Sequence, residues 1–246
     1  MSDKRQKVQL FHTCLINEFF PDVGTAVVTV LEKLGCDVNV PLQQTCCGQP
    51  AYNVGFHRDA RKIARHTIDV LAQAEGRIVI PSGSCADMLL HQYTLLFEGD
   101  ESWLQKLKSV QERCFEFSQF LVEVLGITDV GARLAGRAAY HPSCHLLRGM
   151  TINEQPLKLL RAVKNLQLVP FNEPETCCGF GGLFAVKNSA ISGAMLCNKI
   201  SAIEKCGVEY IIACDMGCLM HLAGGLHRKG SSIKIRHIAE VLVSQA

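Results

Sequence analysis

The chain has 246 residues, 48% hydrophobic and 20% charged, the proportions of a chain that buries a proper core rather than of a disordered one. Lys plus Arg number 25 against 23 Asp plus Glu, and a net charge of +2 marks neither a nucleic-acid binder nor a membrane-surface protein. No apolar stretch of signal-peptide length follows the charged start MSDKRQKVQLF, and runs such as Ile78–Ile80, stopped by Pro81, are too short to insert in a bilayer, so a cytoplasmic chain is expected.

In chain order, Val8–Phe11 reads as a short strand leading into Cys14. Val27, Val30, Leu31 and Leu34 then share one helical face, with Gly35 placed to end the helix. A second strand, Asp37–Val40, stops at Pro41 and precedes Thr45-Cys46-Cys47-Gly48. An amphipathic helix over about Phe56–Ala74 closes at Gly76, and a third strand, Arg77–Ile80, leads into Cys85. Cys114–Leu125 suggests a last strand and helix.

The same order then returns. A strand at Arg137–Tyr140 leads into Cys144, and a helix follows with Pro156 near its start and Leu157, Leu160 and Val163 on one face. Strand Leu166–Val169 stops at Pro170, ahead of Thr176-Cys177-Cys178-Gly179. A helix over Ser189–Lys205 closes at Gly207, strand Tyr210–Ile212 leads towards Cys218, and Ile233–Val243 ends the series. Four cysteines thus recur at offsets of 130, 131, 131 and 133, which chance does not give. The first half carries about a dozen extra residues around Tyr93–Leu107, including Trp103, without a counterpart. The expected division is 1–128 and 129–246, with the boundary near Asp129–Arg137.

Strands alternating with helices predict an α/β fold of two similar repeats, each a small parallel sheet flanked by helices. The cysteine loops then lie at the carboxyl ends of the strands, where open α/β sheets place their ligands. One thiolate cage per half is expected, Cys14, Cys46, Cys47 and Cys85 in the first and Cys144, Cys177, Cys178 and Cys218 in the second. Soft thiolates select zinc or an iron–sulfur cluster. Structural zinc sites draw on spaced C-x2-4-C pairs, whereas here the close pair is directly adjacent, which strains two-thiol chelation of one ion. A cluster avoids that strain because neighbouring thiolates can bind different irons. Gly48, Gly179, Gly181 and Gly182 let the backbone approach the inorganic core.

The tandem CCG pattern resembles the cysteine-rich domain of the B-type component of heterodisulfide reductase and of the glycolate oxidase iron–sulfur subunit. The segments EKLGCDVNVPLQQTCCGQPAYNVG, HPSCHLLR, TCCGFGGLFAVK and IRHIAEVL are most similar to the lactate utilization protein A family, over essentially the whole chain. The resemblance implies an iron–sulfur subunit, without complete catalytic machinery of its own, of a multi-subunit complex that oxidises L-lactate to pyruvate. It implies a cluster of the [4Fe-4S] type in each repeat and partner subunits that include a ferredoxin-like iron–sulfur protein. The heterodisulfide reductase relatives have a fifth cysteine in each repeat, but Ser82 and Asp215 stand at those positions here. That departure argues against a five-thiol cluster and disulfide chemistry. A disulfide or thiol reductase and a zinc-stabilised module without redox activity are the alternatives.

Cys36, Cys114, Cys197 and Cys206 break the repeat and read as core or surface thiols, and Cys214 reads as a buried strand residue with an extra ligand as the alternative. His12, His141, His145 and His221 flank the ligand cysteines and are expected to be satisfied loop histidines, the alternative being a donor or ligand to the cluster. Arg58, Arg61, Arg65 and His66 are expected on a solvated helix face. No strand-to-helix GxGxxG supports nicotinamide or flavin binding, and no compact C-x2-C-x2-C-x3-C run of the ferredoxin kind is present.

Overall fold

The computed structural model describes residues 5–246; the first four residues of the charged start lie outside it. The first sheet contains β1 (Gln6–Leu10), β2 (Cys36–Asn39), β3 (Arg77–Ile80) and β4 (Cys114–Glu116), all parallel and ordered β2-β1-β3-β4. The second contains β5 (Arg133–Tyr140), β6 (Lys164–Leu168), β7 (Tyr210–Ala213) and β8 (Lys234–His237) in the equivalent order, β6-β5-β7-β8.

The first repeat's helices are α1 (Cys14–Phe19), α2 (Pro21–Lys33), α3 (Gln49–Asn53), α4 (His57–Ala72), α5 (Gly83–Asp87), α6 (Tyr93–Leu96), α7 (Glu101–Gln111) and the short α8 (Phe117–Gln119). The second repeat supplies α9 (Glu154–Arg161), α10 (Leu183–Lys187), α11 (Ser189–Glu204), α12 (Met216–Arg228) and α13 (Ile238–Val243). Pro21 opens α2 in the position where its missing N–H costs nothing, and Gly35 follows that helix at φ 82°.

Because strand side chains alternate between faces, each sheet has two buried sides. Val8, Leu10 and Val79 of the first sheet face a central core that also holds Ala138, Tyr140, Ile212 and Cys214 of the second. Between the sheets lies a shared layer in which α2 packs against α13 and α8 against α9, contributing Val27, Leu31, Leu160 and Leu242. Ile78 and Ile80 point the other way, into a core covered by α4, α6 and α7, while Ile211 and Ala213 face α11 and α12. The order is therefore helix, sheet, helix, sheet, helix.

The extra segment of the first half lies slightly later than expected. A π-helical turn at Met88–Gln92 joins α5 to α6, and this run is the counterpart of the single helix α12. The insertion is α7, whose Trp103 stacks on Phe97 at 5.5 Å and receives Arg65 over its ring at 5.2 Å. Arg65 is thus half-buried and paired with Asp100 at 3.4 Å, whereas Arg58, Arg61 and His66 lie exposed as expected. Among the described residues, no helix is long and apolar enough to cross a membrane.

Candidate metal centre

Each repeat delivers four cysteines through the same three loops. After β1 and β5 the chain adds one more ladder bond, from the Phe11 N–H to Val79 O at 2.9 Å and from the His141 N–H to Ile212 O at 2.8 Å. Thr13 and Ser143 then take positive φ values of 52° and 47°, a conformation that costs a non-glycine residue of order 1–3 kcal/mol. These strained residues directly precede Cys14 and Cys144. After β2 and β6 come the paired cysteines, each pair followed by a left-handed glycine, Gly48 at φ 83° and Gly179 at φ 90°. The Gly48 N–H donates to Cys46 Sγ and the Gly179 N–H to Cys177 Sγ, both at 3.4 Å. After β3 and β7, Cys85 and Cys218 sit in the first turns of α5 and α12, behind the capping side chains of Ser82 and Asp215.

The thiols of each half converge. Cys144 Sγ lies 3.9 Å from Cys177 Sγ, and Cys178 Sγ lies 3.3 Å from Cys218 Sγ. In the first half the Cys14 and Cys47 thiols, aided by the Gly48 N–H, hold the Cys46 thiol far below its ordinary value; the neighbours Cys144 and Cys178 do the same for Cys177. Cys218 is drawn down to about 6, first by the Cys178 thiol and, against burial, also by His141. The partner thiols Cys14, Cys47, Cys144 and Cys178 are pushed up, because each keeps its proton and donates it in a hydrogen bond to a neighbouring sulfur, with burial adding to the effect. Each half thus brings four soft sulfur donors to one place, a donor set suited to a soft metal.

The sequence predicts one cage in each half; in space both thiol sets open onto one cavity. All eight cysteines line a single space of about 370 Å³ between the repeats, together with Gln49, His145, Phe180 and Gly181. Cys47, Cys85, Cys178 and Cys218 are buried, while Cys14, Cys46, Cys144 and Cys177 are half-exposed.

The profile of the CCG cysteine-rich domain matches residues 8–90 and 138–223. Lactate utilization protein A of Geobacillus sp. (strain WCH70) is 48% identical over 97% of this chain and 100% of its own length. The proteins of that name from Halalkalibacterium halodurans and Anoxybacillus flavithermus are 47% and 48% identical, each over at least 96% of both chains. The chain belongs to the lactate utilization protein A family. A crystal structure of a hypothetical protein from Helicobacter pylori superimposes with a TM-score of 0.66 at 12% identity, covering 97% of this chain and 48% of that one, a likeness of fold alone.

Within this family framework, Ser82 and Asp215 meet each other. Ser82 Oγ donates to Asp215 Oδ2 at 3.0 Å, the Ser84 N–H reaches the same oxygen at 2.9 Å, and the Gly217 N–H donates to Asp215 Oδ1 at 3.0 Å. The two positions form a buried bridge between the loops that carry Cys85 and Cys218. Close backbone approach accompanies it: a Cβ on Gly83 would lie 2.6 Å from Leu146 Cβ of the other repeat.

Cys214 is buried with its Sγ 3.7 Å from the Tyr140 hydroxyl, in the central core. Cys36 and Cys114 are buried in core clusters, Cys197 is exposed, and Cys206 donates to Ala202 O at 3.3 Å. His145 and His91 each donate from Nδ1 to the Asp87 carboxylate at 2.8 Å, holding that buried acid below its ordinary range against the effect of burial. His221 contacts Ser192 Oγ at 3.3 Å. The expectation of satisfied histidines fails at His141, which is 1% exposed and has no partner at either ring nitrogen among the described residues. It fails in part at His12, where Nδ1 is buried and unpartnered.

Two supporting residues carry no sequence signal. Asp87 has no acidic counterpart in the second repeat. Lys199, 2% exposed and drawn down to about 8 by burial, donates to Glu173 O and Pro174 O at 3.0 Å and fastens the loop before Cys177.

Proposed function

We propose that the chain is an iron–sulfur electron-transfer subunit of a multi-subunit system that oxidises L-lactate to pyruvate. The observation that carries this reading is the convergence of eight thiols, from six strand-end loops, on one cavity. The names of the relatives supply the lactate side. The two repeats are taken as 1–128 and 129–246. Cys14, Cys46, Cys47 and Cys85 would hold one [4Fe-4S] cluster and Cys144, Cys177, Cys178 and Cys218 another. Bound there, the clusters would supply one-electron storage. The chain itself does the rest: Gly48 and Gly179 direct N–H groups at sulfur, Thr13 and Ser143 hold the first cysteines in place, and the apolar walls restrict water. Such a subunit would work in the cytoplasm with partner subunits, among them a ferredoxin-like iron–sulfur protein that carries the electrons onward.

The space between the thiol sets also favours a second reading, a disulfide or thiol reductase that admits substrate sulfur to the cavity. Reduction of a disulfide substrate by the isolated chain separates it from the first.

The deciding experiment is iron, sulfide and zinc content with absorption and EPR spectra on anaerobically purified protein. Roughly eight irons with matching sulfide are expected from two four-iron sites. Cys178→Ala should lose about half of that iron while Cys197→Ala loses none. Equal loss from both variants would overturn the ligand assignment, and stoichiometric zinc without sulfide would overturn the redox reading.

A further inference from the structure

The two thiol sets are alike in their cysteines but not in what lies behind them. His141 and Phe11 occupy the same place in their repeats, the residue that follows the strand and donates its N–H to the neighbouring strand. Both are buried, each at 1% exposure. Phe11 offers no polar atom. His141 has a ring nitrogen that lies with Cys178 Sγ and Cys218 Sγ in a group whose members are all within 4.8 Å of one another. Among the described residues this is the only such group of three metal-ligating side chains. Among the described residues neither ring nitrogen of His141 has a hydrogen-bond partner, an unfavourable condition for buried polar groups. The ring does not line the cavity. It therefore stands behind the thiolates, placed to donate to sulfur rather than to occupy an iron's open face.

We propose that His141 donates an N–H hydrogen bond to the Cys178–Cys218 thiolates and thereby makes the second-repeat cluster the better electron acceptor of the two. This rests on reading both thiol sets as iron–sulfur sites. Hydrogen bonds to cluster sulfurs stabilise the more negative, reduced state and raise the reduction potential. Among the described residues no histidine of the first repeat, His12 included, forms such a group with two of its thiols, and Phe11 takes the place of the imidazole. Of the other histidines near the second site, His145 is committed to Asp87 and His221 to Ser192. The chain thus has a built-in polarity, although its two halves have the same fold and the same four thiols.

The test is an EPR-monitored redox titration of anaerobically purified wild type, His141→Phe and His141→Gln, with the signals assigned to sites by Cys47→Ala and Cys178→Ala. His141→Phe should retain its iron and sulfide while the second-site reduction equilibrium falls at least tenfold, about 59 mV for one electron. The first-site signal should not move. His141→Gln, whose amide keeps an N–H, should recover most of the shift. An unshifted second site, an equal shift at both sites, or loss of second-site iron in both variants would overturn the donor role. A wild-type protein with zinc and no sulfide would instead overturn the iron–sulfur reading, before any variant is compared.

Discussion

At the scale of single residues, the paired cysteines depend on the glycine after them, and the two glycines are not equally constrained. Both adopt positive φ, where an alanine is strained by roughly 1 kcal/mol. A Cβ on Gly48 would meet Ile63 Cγ2 at 3.3 Å, with Ile63 Cβ at 3.4 Å and Ala60 O at 3.5 Å, so a shift of a few tenths of an ångström relieves it. On Gly179 it would meet Ser192 O at 2.8 Å and Met195 Cβ at 2.9 Å, and backbone cannot move so cheaply. Gly179→Ala should therefore lose most second-site iron and cost about 2–4 kcal/mol, whereas Gly48→Ala should cost about 1 kcal/mol and keep most of its iron. Iron content and denaturant midpoints for both variants check this, and an equal loss in the two would show that φ alone matters. The CCG triplets themselves are legible in the sequence because they are contiguous and repeat at 131 residues. The hydrogen bond from Ser192 Oγ to Gly179 O is not, since Ser192 lies 13 residues beyond that loop glycine, on α11.

At the scale of elements, the last strand of each repeat turns directly into a helix capped by its own final side chain. Glu116 ends β4, and its Oε2 accepts from the Ser118 N–H at 2.7 Å and the Gln119 N–H at 3.1 Å; His237 ends β8 and accepts from the Ala239 N–H at 3.2 Å. Glu116 is fully buried, its Oε1 has no partner among the described residues, and burial raises it to about 7. The folded state then binds this proton more tightly than the unfolded chain does. Its contribution is fully present below the ordinary carboxylic value of 4.5 and is lost as pH rises through about 7. Glu116→Gln keeps an acceptor for the cap and removes the titration. Relative to wild type, the variant should gain on the order of 1–3 kcal/mol at pH 8, with little difference at pH 5. Denaturant unfolding at the two pH values measures it, and parallel pH dependence in the two proteins would refute it. The strand and helix around Glu116 follow from periodicity and length. The depth of burial does not, because the second repeat brings Tyr140, Cys214 and Asp215 close to that carboxyl.

At the scale of the whole molecule, two similar halves do not make two independent bodies. Val27, Leu31, Phe120 and Leu121 of the first repeat share one core with Leu159, Leu160, Val241 and Leu242 of the second. Lys33 Nζ donates to Val130 O at 2.7 Å, and the buried Ser82–Asp215 bridge ties the cysteine loops together. No spacing in the sequence announces this, because internal similarity is compatible equally with two beads on a string and with a fused pair. What decides is the apolar face of each repeat's own helices. Re-exposing even four large aliphatic or aromatic side chains at about 1.5–3 kcal/mol each would remove most of the roughly 5–15 kcal/mol that stabilises an ordinary domain. A chain of residues 1–128 alone should therefore lack fixed tertiary packing, with weak near-ultraviolet dichroism and strong binding of a hydrophobic dye. The intact protein should unfold in one transition followed equally by Trp103 fluorescence, which reports on the first repeat, and by far-ultraviolet dichroism, which reports on both. Two separated transitions, or a first repeat that folds and loads iron by itself, would show that the central layer is an interface rather than a core. A cooperative unit has a functional consequence: the fused core fixes the distance between the two thiol sets, so that the cavity they share does not depend on a flexible linker.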